Sequence, residues 1–168
     1  GGGTNLIVSD EGFSGLILKP SLNFIQHLSE GNQPHEKVFE KGAGFIKVSR
    51  EEVLVGAGTS MSALLDFSIE NNLSGLEWAG GLPGSVGGAI RGNAGCFGGE
   101  IKDVVKSIKS LDMETLREIE RNFSDCGFGY RSSVFKKALG KEIILSATFS
   151  LKEGDSKEIK KSINEKIS

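Results

Sequence analysis

The sequence lacks any long hydrophobic run, because none of its apolar stretches approaches the ~18 residues that a membrane-spanning helix requires. It also has only two cysteines, Cys96 and Cys126, whose spacing matches no metal-binding motif. We therefore expect no membrane association and no metal centre. We interpret the two cysteines as buried or half-buried thiols in a reducing compartment.

An excess of charge of one sign is missing as well. The 20 lysine and arginine residues nearly balance the 22 aspartate and glutamate residues, which leaves a net charge of −2. Nucleic-acid-binding domains usually carry a strongly basic face, so we expect no nucleic-acid partner. The pattern G-x-x-x-x-G-K-[ST] is absent, which argues against a nucleoside triphosphatase. Ser132 and Ser133 have no histidine or aspartate pattern nearby, which disfavours a serine hydrolase.

What the sequence has in excess is glycine, with 24 in 168 residues, gathered in clusters and not in a repeat. The richest segment runs from Gly75 to Ala89, where small and hydrophobic residues separate the glycines and Pro83 fixes the turn. Bare main-chain N–H groups that face a ligand make a good phosphate cradle. We interpret this segment as the pyrophosphate-binding wall of a dinucleotide cofactor site.

Three loops are candidates for that site. Gly2-Gly3-Thr4-Asn5 offers main-chain and side-chain donors to a phosphate, although a plain tight turn is an equally good interpretation of Gly1 to Asn5 alone. In the second loop, Leu82 to Ala89, Pro83 can start a short helical turn that presents the amides of Gly84 and Ser85. In the third loop, Asn93 to Gly99, glycines leave a thin wall against which a flat ring could lie.

Two further segments carry possible chemistry. Val55 to Met61 imitates a dinucleotide-binding fingerprint, but Met61 stands where the third glycine is needed, so we interpret it as a plain strand-to-helix turn. Arg131 lies among aromatic and hydroxyl side chains, and a partly shielded guanidinium suits a carboxylate or a developing oxyanion. From the residues alone, a salt bridge is the more common role for Arg131, and Tyr130 could be a core aromatic.

The periodicity of apolar residues predicts a strand-rich α+β domain. We expect strands over 53–57, 104–111 and 143–151, with 116–119 paired to the second, and a hairpin within 38–48. A helix capped by Thr59 or Ser60 should run to about residue 71, and a terminal helix from Asp155 carries Ile159, Ile163 and Ile167 on one face. We expect the polar stretch 23–35 to be a surface excursion with His27 and His35 facing solvent.

Four strings in this order resemble the UDP-N-acetylenolpyruvoylglucosamine reductase (UDP-N-acetylmuramate dehydrogenase) family: Gly1 to Phe13, Ser74 to Ala89, Gly92 to Gly95, and Tyr130 to Phe135. The ordered set is far more specific than any single string. The resemblance implies an α+β FAD-binding fold of the vanillyl-alcohol oxidase and p-cresol methylhydroxylase type. It also implies a cytoplasmic flavoprotein that reduces a nucleotide-sugar substrate in peptidoglycan synthesis, with NADPH as the hydride source and FAD as the carrier.

By this resemblance, Gly2 to Asn5 and Leu82 to Ala89 hold the pyrophosphate of FAD, and Asn93 to Gly95 lie near the flavin. Arg131 is the catalytic arginine that polarises the enolpyruvyl carboxylate, and Tyr130 helps to position the substrate. The implied cofactor-binding residues are Gly2, Gly3, Thr4, Asn5, Leu82, Pro83, Gly84, Ser85, Gly87, Gly88, Ala89, Asn93 and Gly95.

Members of this family are considerably longer, with a small subdomain before the glycine loop and a substrate domain after a helix like the terminal one here. We therefore expect one FAD-binding domain over residues 1–168, incomplete for turnover by itself, with the missing flanking domains as candidate partners. Two alternatives stay open. One is another FAD-dependent oxidase of the same fold, and the other is a non-catalytic module that associates through its isoleucine-faced helix.

Overall fold

The structure is a computed structural model that describes residues 9–14, 21–28, 48–49, 52–138 and 140–167, with only the backbone for 48–49. The first predicted loop, with Gly2, Gly3, Thr4 and Asn5, lies outside these residues. So do His35 and most of the hairpin predicted within 38–48. The expectations for these segments stay predictions.

Strands and helices alternate irregularly along the described chain. The strands are β1 (Ile25–Leu28), β2 (Val48–Ser49), β3 (Glu52–Gly56), β4 (Leu73–Ser74), β5 (Gly95–Cys96), β6 (Gly99–Glu100), β7 (Val105–Asp112), β8 (Glu118–Asn122), β9 (Glu142–Ser150) and β10 (Lys152–Glu153). The helices are α1 (Met61–Glu70), α2 (Val86–Gly92), α3 (Val134–Lys137) and α4 (Ser156–Ile167). Short 3₁₀ turns occupy Glu77–Ala79, Ile101–Asp103 and Phe123–Cys126.

A six-stranded antiparallel sheet forms the centre of the described structure, in the order β1–β3–β9–β7–β8, with β2 also paired to β3. In β7 the buried residues Val105 and Ile108 are three positions apart, although a regular strand would point them to opposite faces. A register shift between Val105 and Ser107 corrects this, since a bulge inserts one residue and restores the apolar face.

The three predicted strands and the pairing of β7 with β8 are confirmed. The expectation for His27 is wrong. His27 lies in β1 opposite Val53, half-buried, with its ring edge-on to Phe67 at 6.3 Å between centroids. Burial lowers the pKa of His27 to about 4. Polar composition misled the interpretation here, because a short strand at the end of the strand order needs few apolar residues of its own.

The predicted helix α1 is confirmed, with Ser60 as its N-cap: the Ser60 hydroxyl accepts a hydrogen bond from the Ala63 amide at 3.1 Å. Its apolar side chains Met61, Leu64 and Leu65 are buried. Within the described part of the chain, no helix combines the length and apolar content that crossing a bilayer requires.

The terminal helix α4 is confirmed too, and the chain itself covers two of the three isoleucines of its apolar face, while Ile167 is 56% exposed. Asp155 accepts hydrogen bonds from the amides of Lys157 and Glu158, while Ile159 and Ile163 are buried. A Cβ on Gly80 would lie 2.9 Å from Ile163 Cγ2, so the absence of a side chain at Gly80 lets the helix approach. Ile167 is the part of this face that stays exposed, and the alternative of an association module stays a prediction.

Candidate functional site

Four of the predicted site residues surround one cleft of about 230 Å³. One wall is the arginine turn (residues 129–132), which carries Tyr130 and Arg131. The opposite wall, called the hairpin wall here (residues 95–102), consists of β5, β6 and the first part of the 3₁₀ turn after them. The cleft is lined by Asn93, Gly95, Cys96, Gly98, Gly99, Glu100, Tyr130 and Arg131. The structure thus brings Asn93, Gly95, Tyr130 and Arg131 together.

The arginine turn is a tight, doubly hydrogen-bonded turn. The Gly129 amide donates to the Ser132 carbonyl at 3.0 Å, and the Ser132 amide donates to the Gly129 carbonyl at 3.1 Å. Tyr130 and Arg131 occupy its tip, and Arg131 adopts a left-handed φ of 50°. Non-glycine residues in this region usually carry strain of about 1 kcal/mol or more, and such strain gathers at functional sites.

Arg131 is an exposed residue, so the expectation that neighbouring aromatic and hydroxyl groups partly shield it from water is wrong. Tyr130 is 86% exposed, and its ring centre lies 6.0 Å from the guanidinium carbon. Nη2 of Arg131 donates to the Gly95 carbonyl at 2.7 Å, which ties the turn to the hairpin wall. Among the described residues, the guanidinium donates to no other protein group, so its remaining N–H groups are available to an anion that enters the cleft.

Asn93 forms the floor of the cleft and is 1% exposed. Its Nδ2 donates to the Gly129 carbonyl at 2.9 Å and to Glu100 Oε2 at 2.7 Å, and its Oδ1 accepts from the Lys102 amide at 3.1 Å. Asn93 also ends α2 with a left-handed φ of 43°. Its carboxamide is thus occupied by the protein, and the predicted contact with FAD stays a prediction.

Cys96 and Glu100 complete the polar lining. The Cys96 thiol donates to the Trp78 carbonyl at 2.8 Å. Burial raises the pKa of this thiol, and the nearby Arg131 charge partly opposes the rise. Hydrogen bonds from Lys102 and Asn93 lower the pKa of Glu100, whose carboxylate lies 2.9 Å from the Lys102 ammonium. The lining therefore carries charges of both signs, with Arg131 as the exposed cation.

The second predicted loop lies at the N-terminal end of α2, whereas Asn93 lies at its C-terminal end. Ser85 caps the helix, since its hydroxyl accepts from the Gly88 amide at 3.3 Å, and Asn93 ends it. With a rise of 1.5 Å per residue, the seven residues of α2 separate the two ends by about 10 Å. The predicted pyrophosphate loop and the predicted flavin loop are therefore opposite ends of one short helix.

The loop around Gly84 is joined to a segment that the sequence interpretation set aside. The Met61 amide donates to the Gly84 carbonyl, the Val86 amide to the Thr59 carbonyl, and the Gly87 amide to the Ala57 carbonyl, all at 2.8–3.0 Å. Ser60 and Ser85, the N-caps of α1 and α2, are bridge partners. Residues 57–60 thus bond directly to the Gly84 loop, and their small side chains were the signal available in the sequence.

The glycines of this loop differ in what surrounds them. A Cβ on Gly84 would enter open space, and one on Gly88 would meet only the Ser85 hydroxyl, at 3.4 Å. A Cβ on Gly87 would lie 2.9 Å from the Ala57 Cβ. In the described part of the chain, the amides of Gly84 and Ser85 donate to no protein group. A bare, unpaired main chain beside open space fits a phosphate group.

The other predicted residues of this loop have mixed surroundings. Pro83 is exposed, Leu82 is partly buried against the core, and Ala89 is 7% exposed. Gly95 is closely packed, since its Cβ would lie 2.6 Å from the Gly99 carbonyl oxygen. These surroundings leave Gly84, Ser85 and Gly88 as the residues whose polar atoms or bare main chain reach the surface.

Comparison with known proteins gives consistent results. The FAD-binding domain family matches residues 1–115. The UDP-N-acetylenolpyruvoylglucosamine reductase of Treponema denticola is 38% identical, over 99% of this chain and 50% of that protein. The reductase of the same name from Carboxydothermus hydrogenoformans is 40% identical, over 98% of this chain and 47% of that protein.

A solved structure gives the same relation in three dimensions. The crystal structure of UDP-N-acetylenolpyruvylglucosamine reductase from Thermus caldophilus matches with a TM-score of 0.60 and 32% identity, over 67% of this chain and 40% of that one. The chain spans about half the length of the curated relatives it matches.

Proposed function

Because the chain belongs to the UDP-N-acetylenolpyruvoylglucosamine reductase family and carries the FAD-binding domain, we propose that it is the FAD-binding part of such a reductase. Its fold is the α+β FAD-binding fold of the vanillyl-alcohol oxidase and p-cresol methylhydroxylase type. The proposed reaction converts UDP-N-acetylglucosamine enolpyruvate to UDP-N-acetylmuramate with NADPH, in cytoplasmic peptidoglycan synthesis.

The observation that carries this proposal is the exposed Arg131 guanidinium held at the edge of a cleft. Its bond to the Gly95 carbonyl fixes one N–H group and leaves the others to bind a carboxylate. An enolpyruvyl group presents such a carboxylate, and charge on it grows as the double bond is reduced. A guanidinium placed before the reaction begins stabilises that charge without reorganisation.

The Gly84–Ser85 turn supplies the other half of the proposed site. FAD fits there because two unpaired amides border open space, and a side chain on Gly84 would project into that space. In this proposal Gly84, Ser85 and Gly88 hold the pyrophosphate at one end of α2, and the flavin ring lies towards the cleft at the other end. Bound FAD would supply hydride transfer, while Tyr130 and Arg131 orient the enolpyruvyl group.

A binding experiment tests the proposal. The purified chain is titrated with FAD, and the FAD-loaded chain is then titrated with UDP-N-acetylglucosamine enolpyruvate while the flavin absorbance is followed. We expect saturable binding of FAD and a change in the flavin spectrum on addition of the nucleotide sugar. In R131M, the affinity for the nucleotide sugar should fall roughly 10- to 100-fold, because a charge-assisted hydrogen bond contributes ~1.5–3 kcal/mol. The affinity for FAD should stay unchanged.

The control is R117M, which removes an exposed arginine from the β7–β8 turn and should change neither affinity. A chain that stays colourless after separation from excess FAD would contradict the proposal. An R131M variant that binds the nucleotide sugar as well as the parent chain would contradict the role of Arg131. Reduction of the bound flavin by simple alcohols, and not by NADPH, would favour the alternative of an oxidase.

A further inference from the structure

We propose that Asn93 is a positioning residue whose buried carboxamide holds the two walls of the cleft together and so sets where Arg131 presents its guanidinium. The proposal rests on the proposed function only for the identity of the anion that Arg131 meets. It replaces a contact between Asn93 and FAD with a role inside the protein.

The first step is the bond to the arginine turn. Asn93 Nδ2 donates to the Gly129 carbonyl at 2.9 Å, two residues before Arg131. A second tether lies on the other side of the turn, where the buried Ser133 hydroxyl donates to the Arg91 carbonyl at 2.8 Å. Both tethers attach the turn to the end of α2, so the helix end determines where the turn lies.

The second step is the bond to the hairpin wall. The other Nδ2 hydrogen of Asn93 points to Glu100 Oε2 at 2.7 Å, and Oδ1 accepts from the Lys102 amide at 3.1 Å. The two N–H groups of the Asn93 side-chain amide thus bond to different walls of the cleft. Because Asn93 is 1% exposed, removing its side chain leaves the Gly129 carbonyl and the Lys102 amide without the partner that the protein supplies.

The third step joins the walls to the arginine. Arg131 Nη2 donates to the carbonyl of Gly95, which is only two residues beyond Asn93. This bond requires that the arginine turn and the start of the hairpin wall keep their separation. A wall that moves by an ångström breaks the bond and releases the guanidinium. Asn93 therefore acts on the ligand through Arg131.

Asparagine is the residue type that meets both demands at this position. The φ of 43° requires a residue that tolerates the left-handed region, which favours glycine, asparagine and aspartate. Glycine would keep the backbone and lose all three side-chain bonds. Aspartate would keep the shape, but its carboxylate would face Glu100 and the Gly129 carbonyl with no hydrogen to donate.

The chain contains a matched control. Asn72, just after the C-cap of α1, also has a left-handed φ, of 55°, and its Oδ1 also accepts a main-chain hydrogen bond, from Ser156 at 3.2 Å. Asn72 lies beside α4 and does not line the cleft. N72G and N93G therefore make the same change in backbone freedom, and only N93G removes bonds between the walls.

The experiment measures hydrogen exchange of the Gly129 and Ser132 amides by NMR in the full chain, together with the affinity for FAD. In N93G, both amides should exchange about tenfold or more faster, because the turn loses its hydrogen bond from the buried Asn93 side chain. In N72G their exchange should not change. FAD affinity should be the same in both variants.

The proposal is overturned if N93G leaves the exchange of the two amides unaltered, or if it weakens FAD binding at least about tenfold relative to N72G. Should N93G not fold, N93D gives the same test with the side-chain shape retained, and the same acceleration is expected. If the parent chain binds no FAD, the proposed function fails, while the exchange rates still decide whether Asn93 holds the turn.

Discussion

At the scale of single residues, glycine has two roles in this chain. Gly87 and Gly80 are small because another part of the protein occupies the space of a side chain, Ala57 in one case and α4 in the other. Gly84 and Gly88 border the surface instead. The same residue type therefore allows close packing at some positions and a bare main chain at others, and sequence counts alone do not separate the two.

Alanine substitutions in α2 test this distinction. G87A should lower the free energy of unfolding by about 1–3 kcal/mol, because the new Cβ would lie 2.9 Å from the Ala57 methyl group and the core must shift. G88A should leave it unchanged or raise it by up to ~1 kcal/mol, because alanine is the better helix former and its Cβ meets only Ser85 Oγ. Urea unfolding of the chain without FAD measures both.

The variants G87A and G88A also control for each other when FAD affinity is measured. If Gly88 faces the pyrophosphate, G88A should weaken FAD affinity while the fold keeps its stability. Equal losses of stability in G87A and G88A would contradict the separation of the two roles.

At the scale of secondary-structure elements, an ion pair joins the three strands at one side of the sheet. Arg121 in β8 donates through Nε and Nη2 to the carboxylate of Glu142 in β9, which also accepts from the Ser110 hydroxyl in β7. The two charged side chains are 26% and 10% exposed. Hydrogen bonding to Arg121 lowers the pKa of Glu142, against the opposing effect of burial.

This pair predicts a pH dependence of stability. Because the pKa of Glu142 is lower in the folded chain than its unfolded value of ~4.3, its contribution is present above that value and is lost as pH falls through the folded pKa. E142Q should therefore be less stable than the parent chain at neutral pH, by ~1 kcal/mol or more. The difference should shrink on acidification, as measured by urea unfolding at several pH values.

E118Q is the control, because Glu118 in β8 pairs with Lys109 at 3.5 Å in an exposed position, where solvent screens the interaction. Its stability should follow that of the parent chain at every pH. A constant difference between E142Q and the parent across the acid range would rule out the lowered pKa as the cause.

At the scale of the whole molecule, one hydrophobic core links the central sheet to the helices. The core cluster includes residues from the sheet, α1, α2 and α4. Ile163 contacts the glycine-rich segment at Gly80, while the buried Ile159 lies beside Gly154. The glycine-rich segment is thus supported by α4 at Gly80.

Shortening single isoleucine side chains of α4 to alanine tests this arrangement. I163A should lower the free energy of unfolding by about 2–4 kcal/mol, because it removes buried methyl groups next to Gly80. I167A changes the same residue type on the same helix at a position that is 56% exposed, and it should cost less than ~1 kcal/mol. Chemical unfolding without FAD, followed by the fluorescence of the single tryptophan, measures both.

Two results would contradict this arrangement. One is an I163A variant as stable as I167A. The other is a parent chain that shows no cooperative unfolding transition until FAD is added.

The elements that could be predicted from the sequence are those whose signal is local. α1 and α4 have caps and an apolar face within one stretch of chain. β9 contains an apolar run of strand length, and β7 carries Val105, Ile108 and Leu111 among polar residues. The expectations that are wrong concern residues whose exposure depends on segments distant in the sequence. His27 is half-buried by β3 and Phe67, and Arg131 is exposed although its sequence neighbours are aromatic.

The sequence by itself determined the family, the α+β class and the set of small-residue turns, because order and spacing of motifs are properties of the chain alone. Only the tertiary structure decided which glycine is packed and which is open, that residues 57–60 join the Gly84 loop, and that Asn93 bonds both walls of the cleft. The physical reason is that a steric clash or a buried hydrogen bond depends on which atoms meet in space, and here the partners of Gly87 and Asn93 include residues 30 and 36 positions away.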